Sequence, residues 1–263
     1  MMSVRGEDHA NLVEVALTTN VVLYESKNNI AVITLNRPEK LNAMNDDMWG
    51  ALEATWRRFN NSEDKVAIIT AAGEKAFCVG ADLNSPTLDV WRAIPGHIVD
   101  VEKPIVAAVF GYCLGGGLGL VQFSDICVAA DDAQFAFPEA KVGLAIGAAS
   151  ALVARIPHKI AMELMLTGDP ISAERAYEAG LINKVVPRDE LMPAAMAYAE
   201  RIAENAPLVL GMLKRYAQEV MPRGPVESLA VWRRGPEMIF SSRDAKEGVA
   251  AFKEKRKPKF MGI

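Results

Sequence analysis

The stretch that most constrains this chain is KPIVAAVFGYCLGGGLGLVQ, residues 103–122. Ile105–Phe110 reads as a buried strand. It runs into Gly111, then into Gly115, Gly116 and Gly117, and then into an apolar helix. Three consecutive glycines weaken a helix interior, because glycine loses the most conformational freedom on ordering. At a helix N-terminus they let a ligand approach the backbone N–H groups, where the helix dipole favours negative charge. A tight turn with close helix packing is the structural alternative. Phosphate-binding fingerprints do not fit. Walker A ends in Gly-Lys-Ser/Thr, whereas here Gly117 precedes Leu118, and Leu120 stands where the dinucleotide motif needs its third glycine.

A second glycine stands out in KAFCVGADLN, residues 75–84. Gly80 interrupts a run that would otherwise extend a strand, which points to a bulge or a close backbone approach. Two such backbone segments meeting over one cavity would supply paired N–H donors, the geometry of an oxyanion hole.

Composition narrows the class. The chain has 263 residues, 51% of them hydrophobic and 24% charged, which is ordinary for a globular protein. Its net charge of −4 disfavours nucleic acid as the main partner. Cys78, Cys113 and Cys127 sit in apolar runs and read as buried free thiols. No CxxC or HExxH spacing occurs, so no metal site is expected. The N-terminus lacks a secretory pattern, and no stretch approaches the ~20 apolar residues of a membrane span. A reducing cytoplasm is the simplest compartment.

Residues 1–19 read as a polar extension. Val21–Tyr24 and Ile30–Leu35 form a hairpin, and Pro38 marks a loop. Asn45 or Asp46 caps a helix to about Asn60, and Val66–Thr70 is a strand. Residues 88–102 are expected to be helical, with a break near Pro95–Gly96. Ile126–Ala130 and Gln134–Phe137 are further strands. Ile160–Leu166 is a helix, Ser172 caps the next one, Gly180 stops it, and Ile182–Val186 is the last strand. Strands and helices alternate too irregularly for a simple doubly wound sheet. From Asp189 the pattern is helical: Leu191, Ala195, Tyr198 and Ile202, then Val209, Leu213, Tyr216 and Val220 behind Pro207. Two more helices are expected over 226–239 and 243–255. Terminal helices this apolar commonly pack on another subunit.

Five segments taken together, NRPEKLNAM, FCVGADL, KPIVAAVFGYCLGGG, SDICVAADDAQFAFPEAKVGL and LTGDPISAERAYEAGLINKVVP, resemble the enoyl-CoA hydratase/isomerase, or crotonase, superfamily. The resemblance runs from about Val22 to Phe260. It implies an α/β fold, a crotonase-like spiral of ββα units with an all-helical C-terminal trimerisation region. The corresponding division is 1–19 as extension, 20–188 as core and 189–263 as oligomerisation region. It also implies a homotrimer or dimer of trimers and an acyl-CoA thioester substrate. No separate cofactor is expected, because coenzyme A is part of the substrate.

By the same resemblance, the N–H groups of Ala81 and Gly116 match the oxyanion hole, with Gly115 beside them. Asp82, Leu83 and Asn84 continue a coenzyme A segment. The loop from Arg37 to Asn42 matches another wall, where Lys40 could meet a phosphate. His97 falls in a region that often lines the acyl pocket, although a surface or loop histidine is the plainer reading. Asp125 reads as a structural hydrogen-bonding residue. The basic tail, Lys253–Lys259, either reaches coenzyme A phosphates or is a solvated helix end.

The family's two-glutamate hydratases carry one acid three residues after the oxyanion glycine, and here that position is Gly119. The second, in a QFxxPE pattern, is retained as Glu139. An aspartate used by some relatives is also missing, since the GLAIGAAS segment offers Gly147 there. One carboxylate suits a 3-enoyl to 2-enoyl shift, and the apolar neighbours Phe135 and Phe137 should raise its pKa. The expectation is therefore an enoyl-CoA hydratase or isomerase with Glu139 as single acid/base. The alternative is a weakly catalytic or non-catalytic acyl-CoA-binding regulatory protein of the same fold.

Overall fold

The hairpin forms where the two β-branched runs predict it. β1 (Val22–Lys27) and β2 (Ile30–Leu35) pair antiparallel across Asn28 and Asn29, which both have positive φ. Asparagine tolerates that geometry, so a two-residue turn suffices. The computed structural model describes residues 20–85, 89–144 and 147–263. The expected N-terminal extension lies outside them.

Three successive units then build two sheets together. β3 (Val66–Ala71), β5 (Ile105–Val109) and β7 (Ile126–Ala130) join a large sheet beside β2, all parallel. Each is followed by a short strand of a second sheet: β4 (Ala76–Cys78), β6 (Tyr112–Leu114) and β8 (Gln134–Ala136). β9 (Ile171–Ser172) completes the small sheet and β10 (Lys184–Val186) the large one. The orders are β1-β2-β3-β5-β7-β10 and β4-β6-β8-β9. The chain thus steps sideways one strand per unit in both sheets, which is the spiral.

The central strands β3, β5 and β7 of the large sheet are buried on both faces, so they read as apolar runs and not as alternations. Ala67, Ile69, Ala107 and Ala129 face the main core with α1 (Asp46–Asn61), while Ile68, Val106, Ala108 and Val128 face α6 (Leu191–Ala203). Helix α6, expected as part of an appended region, therefore covers the sheet through Leu191, Ala195 and Ala199. Helix α1 starts at Asn45, whose side chain accepts from Met48 N at 3.2 Å. Between α1 and α6 lie α2 (Gly116–Gln122), α3 (Glu139–Val142), α4 (His158–Thr167) and α5 (Ala173–Glu178). Ser172 caps α5, and Gly180 follows it at φ +74°.

Two expectations need correction. Residues 89–102 hold only a short 3-10 turn, Val90–Arg92, and Leu88 lies outside the described residues. Pro95 cannot donate a helical hydrogen bond and Gly96 sits at φ +85°, so the segment turns instead of coiling. The helix expected over 226–239 divides into α8 (Pro225–Trp232) and α9 (Arg234–Ser241). Pro236 lacks the N–H that would bind the Trp232 carbonyl, and the break falls at Arg233.

With α7 (Pro207–Val220), α8 and α9 fold back on the body, and α10 (Arg243–Lys253) packs against α9. Lys214 bridges Asp125 at 2.8 Å and the Lys103 carbonyl at 2.9 Å, and Arg233 pairs with Asp89 at 2.7 Å. Leu208, Val220, Trp232, Phe240 and Phe252 remain 79% to 88% exposed. All three cysteines are free and buried. Among the described residues no helix is long and apolar enough to cross a membrane.

Candidate active site

The site starts with a loop held by one asparagine. Leu41 and Asn42 both have positive φ. Asn42 is buried; its side chain accepts from Arg37 N and donates to the Ala72 and Ala76 carbonyls, each at 2.9 Å. The loop is thereby fixed to β4, and its exit strand pairs with the next segment. Met44 N donates to the Gly80 carbonyl at 2.8 Å and Asp82 N donates to the Met44 carbonyl at 2.9 Å. In that ladder the Ala81 N–H faces the other way, and no described residue accepts from it.

Gly80 sits at φ +95°, and a Cβ built there would lie 3.2 Å from Gly116 N and 3.1 Å from the Leu114 carbonyl. Only glycine lets the two chain segments approach so closely. Gly115, at φ +51°, precedes α2 and donates to the Ala136 carbonyl at 2.9 Å. Gly117 packs directly on Cys78: a Cβ would be 2.4 Å from the Cys78 carbonyl oxygen. The glycine run thus serves both readings, a close-packed turn and an open helix N-terminus. The Gly116 N–H, at the start of α2, has no acceptor among the described residues.

Glu139 opens α3 directly behind Pro138. Its Oε1 is 3.1 Å from where a Gly115 Cβ would stand, and that same point is 3.7 Å from Gly80 Cα. Its Oε2 is out of solvent and has no hydrogen-bond partner among the described residues. Burial pushes the carboxyl pKa up, opposed only by its own backbone N–H, and Phe135 and Phe137 beneath it are fully buried. A half-buried carboxyl, with one oxygen out of solvent and unpartnered among the described residues, therefore stands beside two backbone segments whose Ala81 and Gly116 N–H groups have no acceptor among the described residues. Such a set can hold an oxygen that gains negative charge and move a proton beside it.

At the two glycines where the resemblance led to other acids being expected, the neighbouring atoms are hydrocarbon. A Cβ on Gly119 would meet Ile94 Cδ1 at 3.2 Å and Ala148 Cβ at 3.9 Å. One on Gly147 would overlap Val226 of α8 at 2.4 Å.

The remaining expected residues separate. Lys40 is exposed, as are Leu83 and Asn84. Asp82 is used within the fold. Its Oδ1 accepts from Asn84 N and Nδ2, its Oδ2 pairs with Arg37 at 3.2 Å, and these contacts hold its carboxyl below the usual range. His97 is not a surface histidine: it is buried between Trp91 and Phe123, with Nε2 3.4 Å from Glu227 of α8. None of these contacts belongs to the glycine cluster at Glu139. Burial lowers the His97 pKa, against the opposing pull of Glu227. Asp125 is structural, accepting from Ile105 N at 2.7 Å and from Lys214. Sequence reasoning missed the organising role of Asn42; the only signal was an asparagine among apolar neighbours in a loop.

The fold is thus a two-sheet spiral in which the Ala81 and Gly116 N–H groups stand beside a half-buried glutamate. The sequence profile of the enoyl-CoA hydratase/isomerase family matches residues 25–262. The chain is 37% identical over 258 residues to (E)-benzylidenesuccinyl-CoA hydratase of Thauera aromatica, covering 92% of this chain and 99% of that one. It is 35% identical over 247 residues to the mitochondrial enoyl-CoA hydratase of Pongo abelii, covering 89% and 84%. The crystal structure of carnitinyl-CoA hydratase from Mycobacterium avium superposes with a TM-score of 0.72 at 37% identity, over 93% of this chain and all of that one. The chain belongs to the enoyl-CoA hydratase/isomerase family of the crotonase superfamily.

Proposed function

We propose that this protein moves the double bond of an enoyl-CoA thioester, with Glu139 as the only acid/base. The observation that carries the reading is one half-buried carboxyl, whose Oε2 has no partner among the described residues, beside the Ala81 and Gly116 N–H groups, with hydrocarbon against positions 119 and 147. The two N–H groups hold the thioester oxygen. Glu139 takes a proton from C2 of a 3-enoyl group, and the C–H pair forms the C1=C2 bond of a dienolate as charge moves onto the thioester oxygen; when the proton returns, the C3=C4 pair bonds it at C4, C1=C2 becomes C2=C3 and the carbonyl is restored. Negative charge grows on the thioester oxygen in the transition state, where preorganised donors count most. The raised pKa suits a group that must both accept and release the proton.

Exposed Lys40, Leu83 and Asn84 border the two site loops and are assigned to the coenzyme A portion. The apolar residues left exposed on α7 to α10 support a homotrimer or dimer of trimers. Relatives named hydratases favour a second reading, water addition at C2=C3 through the same glutamate.

Mass spectrometry of 2-enoyl- and 3-enoyl-CoA panels, with Glu139→Gln alongside, separates the readings. Conversion of 3-enoyl to 2-enoyl without mass change, lost in the variant, supports isomerisation. Gain of one water, lost in the variant, selects hydration. Activity surviving Glu139→Gln removes the glutamate from the mechanism. Tight binding with no turnover across the panel points to an acyl-CoA-binding protein.

A further inference from the structure

Two N–H groups can share one oxygen only if their peptides keep a fixed separation, and one residue touches both peptides. A peptide unit is planar and trans, so its N–H points opposite to its carbonyl. The Ala81 N–H shares a unit with the Gly80 carbonyl, which accepts from Met44 N at 2.8 Å. That bond sets the direction of the Ala81 N–H, and Asp82 N closes the ladder by donating to the Met44 carbonyl at 2.9 Å. The Gly116 N–H shares a unit with the Gly115 carbonyl, which accepts from Gly119 N at 2.9 Å, so α2 itself sets that direction.

What remains is the placement of the first turn of α2 against residues 80–81. Gly116 has no side chain to pack there, and Met44 supplies the atoms instead. A Cβ on Gly116 would lie only 2.5 Å from Met44 Cε and 3.3 Å from Val90 Cγ2, with Gly80 Cα 3.7 Å from the same point. The Met44 methyl therefore occupies the place that a side chain of residue 116 would take. Met44 is fully buried in the main core with Cys78 and Val90. Its own segment is anchored, because Val79 N donates to the Leu41 carbonyl at 3.2 Å and Asn42 donates to the Ala72 and Ala76 carbonyls. Met44 thus holds one donor peptide through its backbone and bears on the other through its side chain.

We propose that Met44 is a positioning residue for the reaction, setting the separation of the Ala81 and Gly116 N–H groups that receive the thioester oxygen. This rests on the reading of those two groups as the oxygen's donors. In this role Met44 acts through the donors and transfers no proton itself. Removing its Cγ, Sδ and Cε leaves a void beside Gly116 into which the start of α2 can relax. The donors bind the charged transition state better than the ground state, so the loss falls on kcat more than on KM.

The test compares wild type with Met44→Leu, Met44→Val, Met44→Ala and Met48→Ala. Met48 is as buried as Met44 and belongs to the same core, yet is not among the nearest neighbours of the Gly116 Cβ position. One readout is kcat and KM on the substrate found with the thioester panel. The other is the near-ultraviolet absorbance of bound 3-oxoacyl-CoA at one fixed pH. The acidic C2–H of that thioester lets it bind as an enolate, which places charge on the thioester oxygen without turnover. Met44→Val and Met44→Ala should lower kcat about tenfold or more and reduce the enolate fraction, with KM changed by less than about threefold. Met44→Leu should recover most of both, and Met48→Ala should melt lower while keeping both. Met44→Val carries the test where Met44→Ala fails to fold. Wild-type kcat and enolate fraction in the folded Met44 variants overturn the proposal, as do equal losses in Met48→Ala. Absence of enolate on 3-oxoacyl-CoA bound to wild type overturns the donor reading instead, so the two failures are distinct.

Discussion

Gly117→Ala should disable the site without touching either N–H donor. A Cβ at residue 117 would stand 2.4 Å from the Cys78 carbonyl oxygen, 2.8 Å from Cys78 Cβ and 3.1 Å from its carbonyl carbon. Two of these three atoms are backbone, so no side-chain rotation relieves the clash. Restoring ordinary contact at ~3.5 Å requires α2 and the Cys78–Ala81 segment to part by about 1 Å. Those two segments carry the Gly116 and Ala81 N–H groups. Oxyanion donors act at about 2.7–3.1 Å, and a misplacement of about 1 Å costs on the order of 10²-fold in rate. The loss belongs in kcat more than in KM, because the donors bind the charged transition state better than the ground state. Overpacking of this kind also costs roughly 1–3 kcal/mol of stability. Steady-state kinetics on the substrate identified by the thioester panel, with thermal melts, reads both effects. Gly235→Ala is the control, since nothing lies within 4 Å of its Cβ position and its φ is not positive. A Gly117→Ala enzyme with wild-type kcat and an unchanged melt would refute the argument that this glycine sets the spacing of the donors.

Further outcomes follow from the same geometry. Glu139→Gln should lower kcat by about 10²–10⁴-fold. Its stability effect has the opposite sign. The native pKa lies above the unfolded value, so wild-type stability falls as pH rises through that interval and stays reduced above it. Glu139→Gln should therefore melt higher than wild type at pH 7 to 8 and lose that advantage in acid; equal melts across the range would contradict the burial argument. The acid limb of kcat/KM should lie above 4.5, the ordinary glutamate value, and vanish in the variant's residual rate. Asn42→Ala removes three hydrogen bonds from a residue at φ +55°, and should cost on the order of 1–3 kcal/mol by leaving buried carbonyls unpaired. Urea unfolding checks it, with an unchanged midpoint as the contrary result. Sedimentation equilibrium should return three or six chains, and Phe240→Asp should shift the distribution toward monomer; a monomeric wild type would remove the oligomer reading.

What the sequence alone determined is mostly local. The hairpin, the Asn45 and Ser172 caps and the close backbone approach at Gly80 are each written within a few residues, because they depend on φ preferences and on short side-chain bonds, although the turn itself is shorter than the Glu25–Asn29 stretch expected, since β1 runs on to Lys27. The five family-like segments carried the fold and pointed to Ala81, Gly116 and Glu139. Longer-range facts needed the tertiary structure. Periodicity shows that residues 191–203 are amphipathic, but not that the opposing surface is the large sheet. The sequence shows Asp82 two residues after a glycine, but not that Arg37, 45 positions earlier, occupies its carboxylate. Burial of His97 comes from Glu227 and Phe123, both brought in by other segments of the fold. Most decisively, the sequence reports a glycine at 119 and says nothing of what fills the space. Only packing decides that Ile94 and Ala148 fill it with carbon, because that contact joins residues 25 and 29 positions away that no local rule couples.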